Sequence, residues 1–391
     1  MDLMTESKAK FYASKDKHGK ISKELDVFYN PVMKFNRDIS ILLLNNVGVK
    51  NFQIADIMAG SGVRSIRFLL ELKKSIIKNI TVNDYDKDFI GLIKKNLKAS
   101  HVAKNKKLFL SSKDANMLLI ESKGFDYIDI DPFGSPNDFL ELSAVRLSRG
   151  GILAVTATDT APLSGTFPDA CQRKYWAKPL RNSLMHEIGL RILIRKVQMI
   201  SAQHDKALVP IYSYFKDHYN RIFFKCVKSK LEVDKLFAQH KYFLYCDKCM
   251  TFLISEYNYL RCEKCNLVMT YAGPLWSGKL YDKQLAEKIF KSNKHKKNER
   301  FLEVIMQESV LDDPKFIGFY EIHELCKCYK KVIPNFDVLM PKIKDLGYKV
   351  SRTHFTPLGI KTNMPIDELL KVIELSTGKK ITEDVINNSE S

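Results

Sequence analysis

The residues with the clearest chemical potential lie in the segment DIDPFGSP, residues 129–136, which follows the apolar run FDYI, residues 125–128. This run predicts a buried strand of a parallel sheet, and ligands of such sheets bind beyond the carboxyl ends of the strands. Asp131 therefore lies where a ligand is expected. Pro132 fixes the backbone and removes a donor, so that the preceding carbonyl can face a ligand, and Phe133 offers a ring for base stacking.

A carboxylate, a carbonyl and an aromatic ring at one strand end suit the exocyclic amine of a nucleobase. The amine donates two hydrogens while its ring stacks on Phe133, and Asp131 can accept the proton that is lost when the nitrogen is alkylated. The alternative interpretation is a strand followed by a proline–glycine turn, with Asp131 as an ordinary turn residue.

A glycine-rich turn follows the first predicted strand of the same sheet. The strand QIADIM, residues 53–58, leads into AGSGVR, residues 59–64. Gly60 and Gly62 permit a tight turn that brings bare backbone against a ligand, with the start of a helix behind it. NAD-binding proteins and simple tight turns share this pattern.

Acidic residues follow the next two predicted strands. Asp84 ends the strand NITVND, residues 79–84, at the position where a carboxylate holds the two hydroxyls of a ribose. Asp114 follows the strand LFL, residues 108–110, and can accept a hydrogen bond from an adenine amine. The alternative for both acids is a solvated loop aspartate. A dinucleotide and S-adenosylmethionine both contain the adenosine that such residues bind. The DPF segment favours S-adenosylmethionine, because hydride transfer has no need of that combination.

Strands and helices continue to alternate up to about residue 230. A helix is expected near residues 138–147, a strand over 151–156 and a helix near 184–196. The polar segment over 157–175 is expected to be a long loop that covers the substrate. Two late strands, near residues 209–214 and 221–225, complete the predicted sheet.

Length and composition restrict the class of protein. A chain of 391 residues with 45% apolar residues is long enough for two or three domains with real cores. Since the start lacks the apolar core of a signal peptide and no run approaches a membrane span, a cytoplasmic protein without membrane contact is expected. The net charge of +18 favours a polyanionic partner, most commonly nucleic acid, although a generally lysine-rich proteome raises the charge in the same way.

Four of the eight cysteines have the spacing C-x2-C-x12-C-x2-C, which is typical of a tetrahedral thiolate zinc site. They are Cys246, Cys249, Cys262 and Cys265. Four thiolates leave no open coordination position, so the predicted Zn²⁺ has a structural role. Two disulfides are the alternative, but in an intracellular chain free thiols are favoured.

The C-terminal part is rich in helices. A helix over residues 280–294 ends in a basic run, residues 291–297, which either contacts phosphates or forms a solvated helix end. Helices near 320–331 and 337–346, followed by the segment YKVSRT, residues 348–353, predict a winged-helix-like module that grips RNA by its shape and backbone.

Several unusual motifs resemble those of the tRNA guanine-26 N2-dimethyltransferases. They are FYNP at 28–31, NRD at 36–38, DPFGSP at 131–136, TATD at 156–159, DHY at 217–219, GPLW at 273–276 and SRTHF at 351–355. The resemblance spans residues 28–362, nearly the whole chain. It implies a class I, Rossmann-like methyltransferase sheet that binds S-adenosylmethionine.

The resemblance also implies roles for individual residues. Arg37 and Arg64 would lie at the methionine end of the cofactor, with Arg37 as the partner of its carboxylate. Asp84 would hold the ribose, and Asp114 with Ala115 would hold the adenine. The target guanine would be bound by the catalytic carboxylate of Asp131, by Pro132, and by the rings of Phe28 and Phe133 on its two faces. The zinc ribbon is not shared by every member of the family, so its role in tRNA binding is open.

The expected fold class is α/β, and the chain is expected to have three parts. Residues 1–240 form the S-adenosylmethionine-binding domain, 241–275 a zinc-ribbon insertion, and 276–391 a smaller α+β, winged-helix-like domain that binds tRNA. The expected activity is transfer of one or two methyl groups to the N2 amine of guanine 26 of tRNA, with no obligate protein partner implied. The alternatives are a methyltransferase acting on another amine (of ribosomal RNA, DNA or a protein amide) and a non-catalytic zinc-ribbon protein that binds nucleic acid.

Overall fold

The computed structural model describes residues 1–14, 29–313 and 316–377 of the chain. The described part begins with an antiparallel hairpin of β1 (Asp2–Glu6) and β2 (Ala9–Ala13). Alternate residues of β2, including Phe11, are fully buried, so the hairpin packs on the core of the first domain. Phe28 lies outside the described residues.

A seven-stranded sheet forms the centre of the first domain. Its strands are β3 (Phe52–Asp56), β4 (Ile77–Asp84), β5 (Leu108–Ser112), β6 (Phe125–Ile130), β7 (Leu147–Ala157), β8 (Lys206–Lys216) and β9 (Tyr219–Lys228). The spatial order is β5-β4-β3-β6-β7-β9-β8, parallel from β5 to β7, with β9 antiparallel to both of its neighbours. The strand order reverses between β3 and β6, where open α/β sheets bind their ligands. The predicted class I, Rossmann-like sheet is confirmed.

Burial explains why most of β6 is apolar. It lies between β3 and β7, so both of its faces are covered, and Tyr127, Ile128 and Ile130 are fully buried. Asp129 is also buried in this strand, which requires charged partners within the core.

Eight helices accompany the sheet in the described part of the chain. They are α1 (Lys34–Asn46), α2 (Val63–Glu71), α3 (Phe89–Ala99), α4 (Ala115–Glu121), α5 (Asn137–Arg146), α6 (Thr160–Leu163), α7 (Pro168–Tyr175) and α8 (Met185–Ala202). The prediction of a long loop over residues 157–175 is wrong, because α6 and α7 occupy most of this segment. Pro168 stands at the first turn of α7, and Cys171 and Tyr175 anchor the helix in the core.

A second, three-stranded sheet carries the cysteine tetrad. After α9 (Lys230–Phe237), β10 (His240–Tyr245) pairs antiparallel with β11 (Phe252–Ser255) and with β12 (Thr270–Trp276). β12 runs from this sheet back to the first domain, where Gly273 and Lys178 exchange two backbone hydrogen bonds of 2.9 and 2.8 Å.

The C-terminal part is a compact α+β unit. Its elements are α10 (Lys283–Ser292), α11 (Lys296–Val310), β13 (Tyr320–Glu321), α12 (Ile322–Cys328), α13 (Phe336–Asp345), β14 (Val350–Arg352), β15 (Gly359–Thr362) and α14 (Ile366–Leu375). The strands form a sheet of order β13-β15-β14. In the basic run over residues 291–297, Lys291 lies in the last turn of α10 and is paired with Glu287 at 2.6 Å.

Buried charges join this unit to the first domain. Lys361 on β15 lies 2.7 Å from Glu187 on α8 and 3.6 Å from Glu308 on α11, which is itself 2.6 Å from His354. Since Glu187 and Glu308 are fully buried, these pairs hold the two units together through one shared core. No helix of the described residues combines the length and the apolar character needed to cross a membrane.

Candidate active site

A cavity of about 810 Å³ opens beyond the carboxyl ends of β3, β4 and β6, at the point where the strand order reverses. Its volume is that of a site for a cofactor-sized molecule. Almost all of the described residues that the sequence singled out line it: Arg37, Gly60, Arg64, Asp84, Asp114, Ala115, Asp131, Pro132 and Phe133. Residues separated by up to 96 positions in the chain thus meet at one edge of the sheet.

The glycine turn between β3 and α2 forms one wall of the cavity. Gly62 begins α2 in the left-handed region, with φ of +75°, and a Cβ at this position would lie 2.1 Å from Ile93 Cδ1. Both its backbone conformation and the space around it therefore require glycine. Gly60 lines the cavity itself, so the turn presents backbone rather than side chains to a ligand.

Asp84 is held in place by the same turn. Its Oδ2 accepts a hydrogen bond of 2.7 Å from the backbone N–H of Gly60, and its Oδ1 accepts one of 3.2 Å from Asp86. This carboxylate retains lone pairs for further donors, because each oxygen can accept about two hydrogen bonds. Its position at the end of β4 agrees with the predicted one.

Asp114 has a local structural role in addition to its place in the cavity wall. It is the N-cap of α4, since its Oδ1 accepts hydrogen bonds from the backbone N–H groups of Asn116 at 2.9 Å and Met117 at 3.1 Å. This capping orients the start of the helix, so that Ala115 lies at the cavity beside it.

Asp131 lies directly after β6 at the cavity rim. Its side chain is 18% exposed, and its Oδ2 is ion-paired with Nη2 of Arg64. Pro132 and Phe133 follow it along the rim, and Phe133 is 46% exposed. The backbone of the next residue, Gly134, is fixed by a 2.7 Å hydrogen bond to Thr158 Oγ1. Asp131 and Phe133 thus line the same cavity, on a loop that the hydrogen bond of Gly134 holds in place.

A fully buried ion network lies beneath this loop. Arg221 on β9 binds Asp129 with both Nη atoms, at 3.0 and 2.7 Å, and Tyr127 donates to Asp129 Oδ2 at 2.6 Å. Arg64 Nη1 lies 3.3 Å from the same carboxylate, so Arg64 bridges Asp129 and Asp131. Burial alone raises the pKa of Asp129, but the guanidinium groups of Arg221 and Arg64 outweigh burial and hold that pKa below its usual value.

A second network reaches the cavity from the N-terminal hairpin. Glu6 accepts from Arg37 Nε at 2.8 Å and Nη2 at 2.5 Å, and from Arg67 Nη1 at 2.8 Å. Burial raises the pKa of Glu6, but the two arginines reverse that effect and lower it to about 2. Arg37 therefore lines the cavity with its guanidinium group already hydrogen-bonded to the carboxylate of Glu6.

Sequence reasoning missed Glu6, Asp129 and Arg221. The first is 31 residues from its partner Arg37, and Arg221 is 92 residues from Asp129. Asp129 and Arg221 each interrupt an apolar strand, and this pattern indicates a buried charge that needs a partner. A single sequence with no structure does not reveal which partner each of them meets.

The four cysteines lie together at one end of the second sheet. Their Sγ atoms are all within 4.8 Å of one another, and those of Cys249 and Cys262 are 3.5 Å apart. Each C-x2-C pair forms a knuckle in which the residue after the second cysteine, Met250 or Asn266, has positive φ and donates back to the first cysteine. All four are free thiols, so the disulfide alternative is not supported.

Comparison with known proteins gives a consistent result over most of the chain. A family model described as "N2,N2-dimethylguanosine tRNA methyltransferase" matches residues 7–374. The tRNA (guanine(26)-N(2)/guanine(27)-N(2))-dimethyltransferase of Aquifex aeolicus is 37% identical over 367 residues, 90% of this chain and 91% of that protein. The tRNA (guanine(26)-N(2))-dimethyltransferase of Thermococcus kodakarensis is 36% identical over 366 residues, 89% of this chain and 93% of that protein.

A solved structure extends the similarity to the fold. Trm1 from Pyrococcus horikoshii, determined as a complex with S-adenosyl-L-methionine, has a TM-score of 0.83 and 33% sequence identity. The match covers 96% of this chain and 100% of that chain. The shared sheet, the long match and the strand-end residues lead to one conclusion: the chain belongs to the N2,N2-dimethylguanosine tRNA methyltransferase family.

Proposed function

We propose that this protein transfers a methyl group, once or twice, from S-adenosylmethionine to the exocyclic N2 amine of guanine 26 of tRNA. Membership of the family supports the reaction class, and the names of the relatives support the target base. The observation that carries the proposal is the rim segment Asp131–Phe133, which faces the same cavity as the glycine turn and the strand-end acids.

The donors and acceptors around the cavity fit S-adenosylmethionine. Asp84 would accept the two ribose hydroxyls, and Asp114 with the backbone at Ala115 would hold the adenine amine and ring. Arg37 and Arg64 also line the cavity and would be the cations for the methionine carboxylate. When bound, the cofactor supplies an electrophilic methyl carbon next to a sulfonium.

The residues at the rim would prepare the amine for attack. A guanine N2 is a weak nucleophile, because its lone pair is delocalised into the ring. Holding it in line with the methyl carbon converts a bimolecular encounter into a local displacement. Asp131 would accept hydrogen bonds from the amine, stabilise the positive charge that develops on nitrogen, and take the released proton. One N–H remains after the first transfer, which permits a second.

The aromatic residues would offset the cost of removing the base from its stack in folded tRNA. That cost is a few kcal/mol, and stacking on an aromatic ring returns about 1–3 kcal/mol. Phe133 would provide one such ring, and its side chain is exposed at the rim. Phe28, the proposed second ring of the sandwich, lies outside the described residues, while its neighbour Tyr29 lines the cavity.

The division into domains is part of the proposal. Residues 1–240 would bind the cofactor, 241–275 would form the zinc-ribbon insertion, and 276–391 would bind tRNA. From α11 onward the element order is helix, strand, helix, helix, strand, strand, with the third strand in the middle of the sheet. This is the order of a winged helix, a module that commonly binds nucleic acid.

Incubation of the protein with labelled S-adenosylmethionine and bulk tRNA tests the activity. We expect label in tRNA, and nucleoside mass spectrometry after site-specific digestion should place N2-methylated guanosine at position 26. Label in ribosomal RNA, DNA or protein instead would contradict the substrate. A protein that binds tRNA but transfers no label would support the non-catalytic alternative.

The cysteine tetrad would hold a structural Zn²⁺. In a tetrahedral site with Zn–S bonds of about 2.3 Å, neighbouring sulfurs are about 3.8 Å apart. The 3.5 Å separation of the Cys249 and Cys262 sulfurs, and the 4.8 Å limit for all four, need only small adjustments to reach this geometry. Four thiolates close the coordination shell, so the ion would stabilise the second sheet and take no part in transfer.

Removal of this zinc should loosen the second sheet before it affects the cofactor site. We expect one zinc per chain in the purified protein and its loss in Cys262→Ser, together with faster proteolysis between residues 246 and 265. Binding of S-adenosylmethionine, measured by calorimetry, should be unchanged, because the cavity is built on the first sheet. Cys328→Ser is the control, since it alters an exposed cysteine outside the tetrad whose Sγ donates to Lys248 O at 3.3 Å, a hydrogen bond that a serine hydroxyl can also make. Immediate loss of cofactor binding on chelation would contradict the structural role.

A further inference from the structure

A surface of mixed aromatic and basic residues lies between the second sheet and the loop over residues 131–136, which we call the catalytic loop. We call it the aromatic–basic patch; its members are Trp176, Lys178, Arg195, Lys196, Tyr242 and Tyr271. None of them lines the cavity. They come from the end of α7, from α8, and from β10 and β12, so that three parts of the chain build one surface.

The two cations on α8 are unusual in their surroundings. Lys196 is only 5% exposed, and its Nζ lies 3.0 Å from the ring centroid of Trp176. Burial, together with the neighbouring charge of Arg195, lowers the pKa of Lys196 to about 8. Within residues 1–14, 29–313 and 316–377, no carboxylate lies within ion-pair distance of either cation, and the Nε of Arg195 is buried without a hydrogen-bond partner.

Such an arrangement costs stability in the free protein. A buried cation loses hydration, and a second cation beside it adds repulsion that no described carboxylate offsets. Arg195 Nη1 donates to the backbone carbonyl of Trp176 at 3.4 Å, so both cations of α8 contact Trp176. An anion bound at this edge of α8 would offset the repulsion between the two cations. The chemistry of the pair therefore fits a phosphate group.

The side chain of Trp176 is exposed on the surface. It ends α7 in the left-handed region, with φ of +55°, which is uncommon for a bulky residue, and its side chain remains 47% exposed. The residue before it, Tyr175, is buried and hydrogen-bonded to Ser135 of the catalytic loop at 3.3 Å. An exposed indole is thus fixed to the loop that carries Asp131.

The patch continues to the second sheet. The Nζ of Lys178 lies 4.1 Å from the ring centroid of Tyr271, and the rings of Tyr271 and Tyr242 meet edge to face at 6.0 Å. Interleaved rings and cations of this kind bind unpaired nucleic acid, because bases stack on the rings and phosphates pair with the cations.

We propose that the aromatic–basic patch is a subsite for the RNA substrate, in which Arg195 and Lys196 bind a backbone phosphate and Trp176 stacks an unpaired base near the target. This inference rests on the proposed function. It makes the surface between the cavity and the zinc-bearing sheet part of the path of the RNA. Charge complementarity favours the polyanion, since the chain carries a net charge of +18.

Steady-state kinetics of the double variant Arg195→Gln/Lys196→Met test the phosphate site. We expect KM for tRNA to rise about tenfold or more, because charge-assisted contacts to phosphate are lost. The slope of log(kcat/KM) against log salt should become less steep by about one to two units. Affinity for S-adenosylmethionine and kcat at saturating tRNA should be unchanged.

The control is Lys94→Met/Lys98→Gln, which removes two positive charges from the exposed side of α3. It should shift KM and the salt slope much less than the patch variant. A KM and a salt slope equal to those of the control would overturn the proposal. A large decrease in melting temperature with an unchanged KM would also overturn the proposal, because that result would show that the two cations only stabilise the fold. Absence of methyl transfer by the wild type would instead contradict the proposed function itself.

Fluorescence tests the base-stacking part independently of turnover. The chain has two tryptophans, and the other one, Trp276, is buried. We expect tRNA to quench the emission of the wild type and to leave that of Trp176→Phe unaffected, while both still bind cofactor. Equal quenching in the two proteins would exclude Trp176 from contact with RNA.

Discussion

Asp131→Asn is expected to lower the rate of methyl transfer to tRNA about 1,000-fold, within the range found when a general base is removed. The amide has nearly the same size, so the pocket keeps its shape, but it lacks the charge that we propose stabilises the alkylated nitrogen and accepts its proton. Single-turnover rates at saturating enzyme and cofactor measure this step without contributions from product release.

Binding of S-adenosylmethionine by the same variant should be unchanged. Arg64 loses one ion-pair partner but keeps Asp129 at 3.3 Å, so the cavity wall remains fixed. Asp88→Asn is the matched control, because it makes the same change in an exposed residue at the start of α3, outside the cavity lining. Near-normal turnover of Asp131→Asn would remove this carboxylate from the catalytic role.

Arg221→Met is expected to lower the free energy of unfolding by about 3–5 kcal/mol, the cost of breaking a buried pair by removing one partner. Arg221 is fully buried and donates to Asp129, and also to Thr156 at 2.9 Å and Ser40 at 3.0 Å. The substitution leaves the buried carboxylate of Asp129 with Arg64 as its remaining cation. Urea denaturation monitored by circular dichroism gives the change in free energy.

Two further variants separate this explanation from a simple loss of volume. Lys235→Met breaks an exposed pair with Glu232 at 2.6 Å and should cost no more than about 1 kcal/mol. Arg221→Met combined with Asp129→Leu removes both charges, so the double variant should be more stable than the sum of the single changes predicts. Additive effects of Arg221→Met and Asp129→Leu would show that the pair does not act as an ion pair.

The parts of the site that follow strands could be predicted from the sequence. Asp84, Asp114 and Asp131 each stand at the end of an apolar run, and parallel strands bring their carboxyl ends to one edge. The glycine turn could also be predicted, because the conformation of Gly62 depends on only a few consecutive residues. The cysteine spacing predicted the tetrad for the same reason.

The parts that depend on distant partners could not be predicted. Arg64 was expected beside the cofactor, and the structure adds that it bridges Asp129 and Asp131. Glu6 and Arg221 complete these networks from a hairpin and from an antiparallel strand, whose packing no local pattern specifies. The pattern over 157–175 predicts a loop because α6 and α7 are short, and α7 is stabilised by the buried side chains of Cys171 and Tyr175.

The most direct test of the account compares two tRNA transcripts that differ only at position 26, one with guanosine and one with inosine. Inosine keeps the ring and its stacking surface but lacks the exocyclic amine. We predict methyl transfer to the guanosine transcript, none to the inosine transcript, and competitive inhibition by the latter. Equal transfer to both transcripts would contradict the claim that the methyl acceptor at this position is the exocyclic amine bound by Asp131.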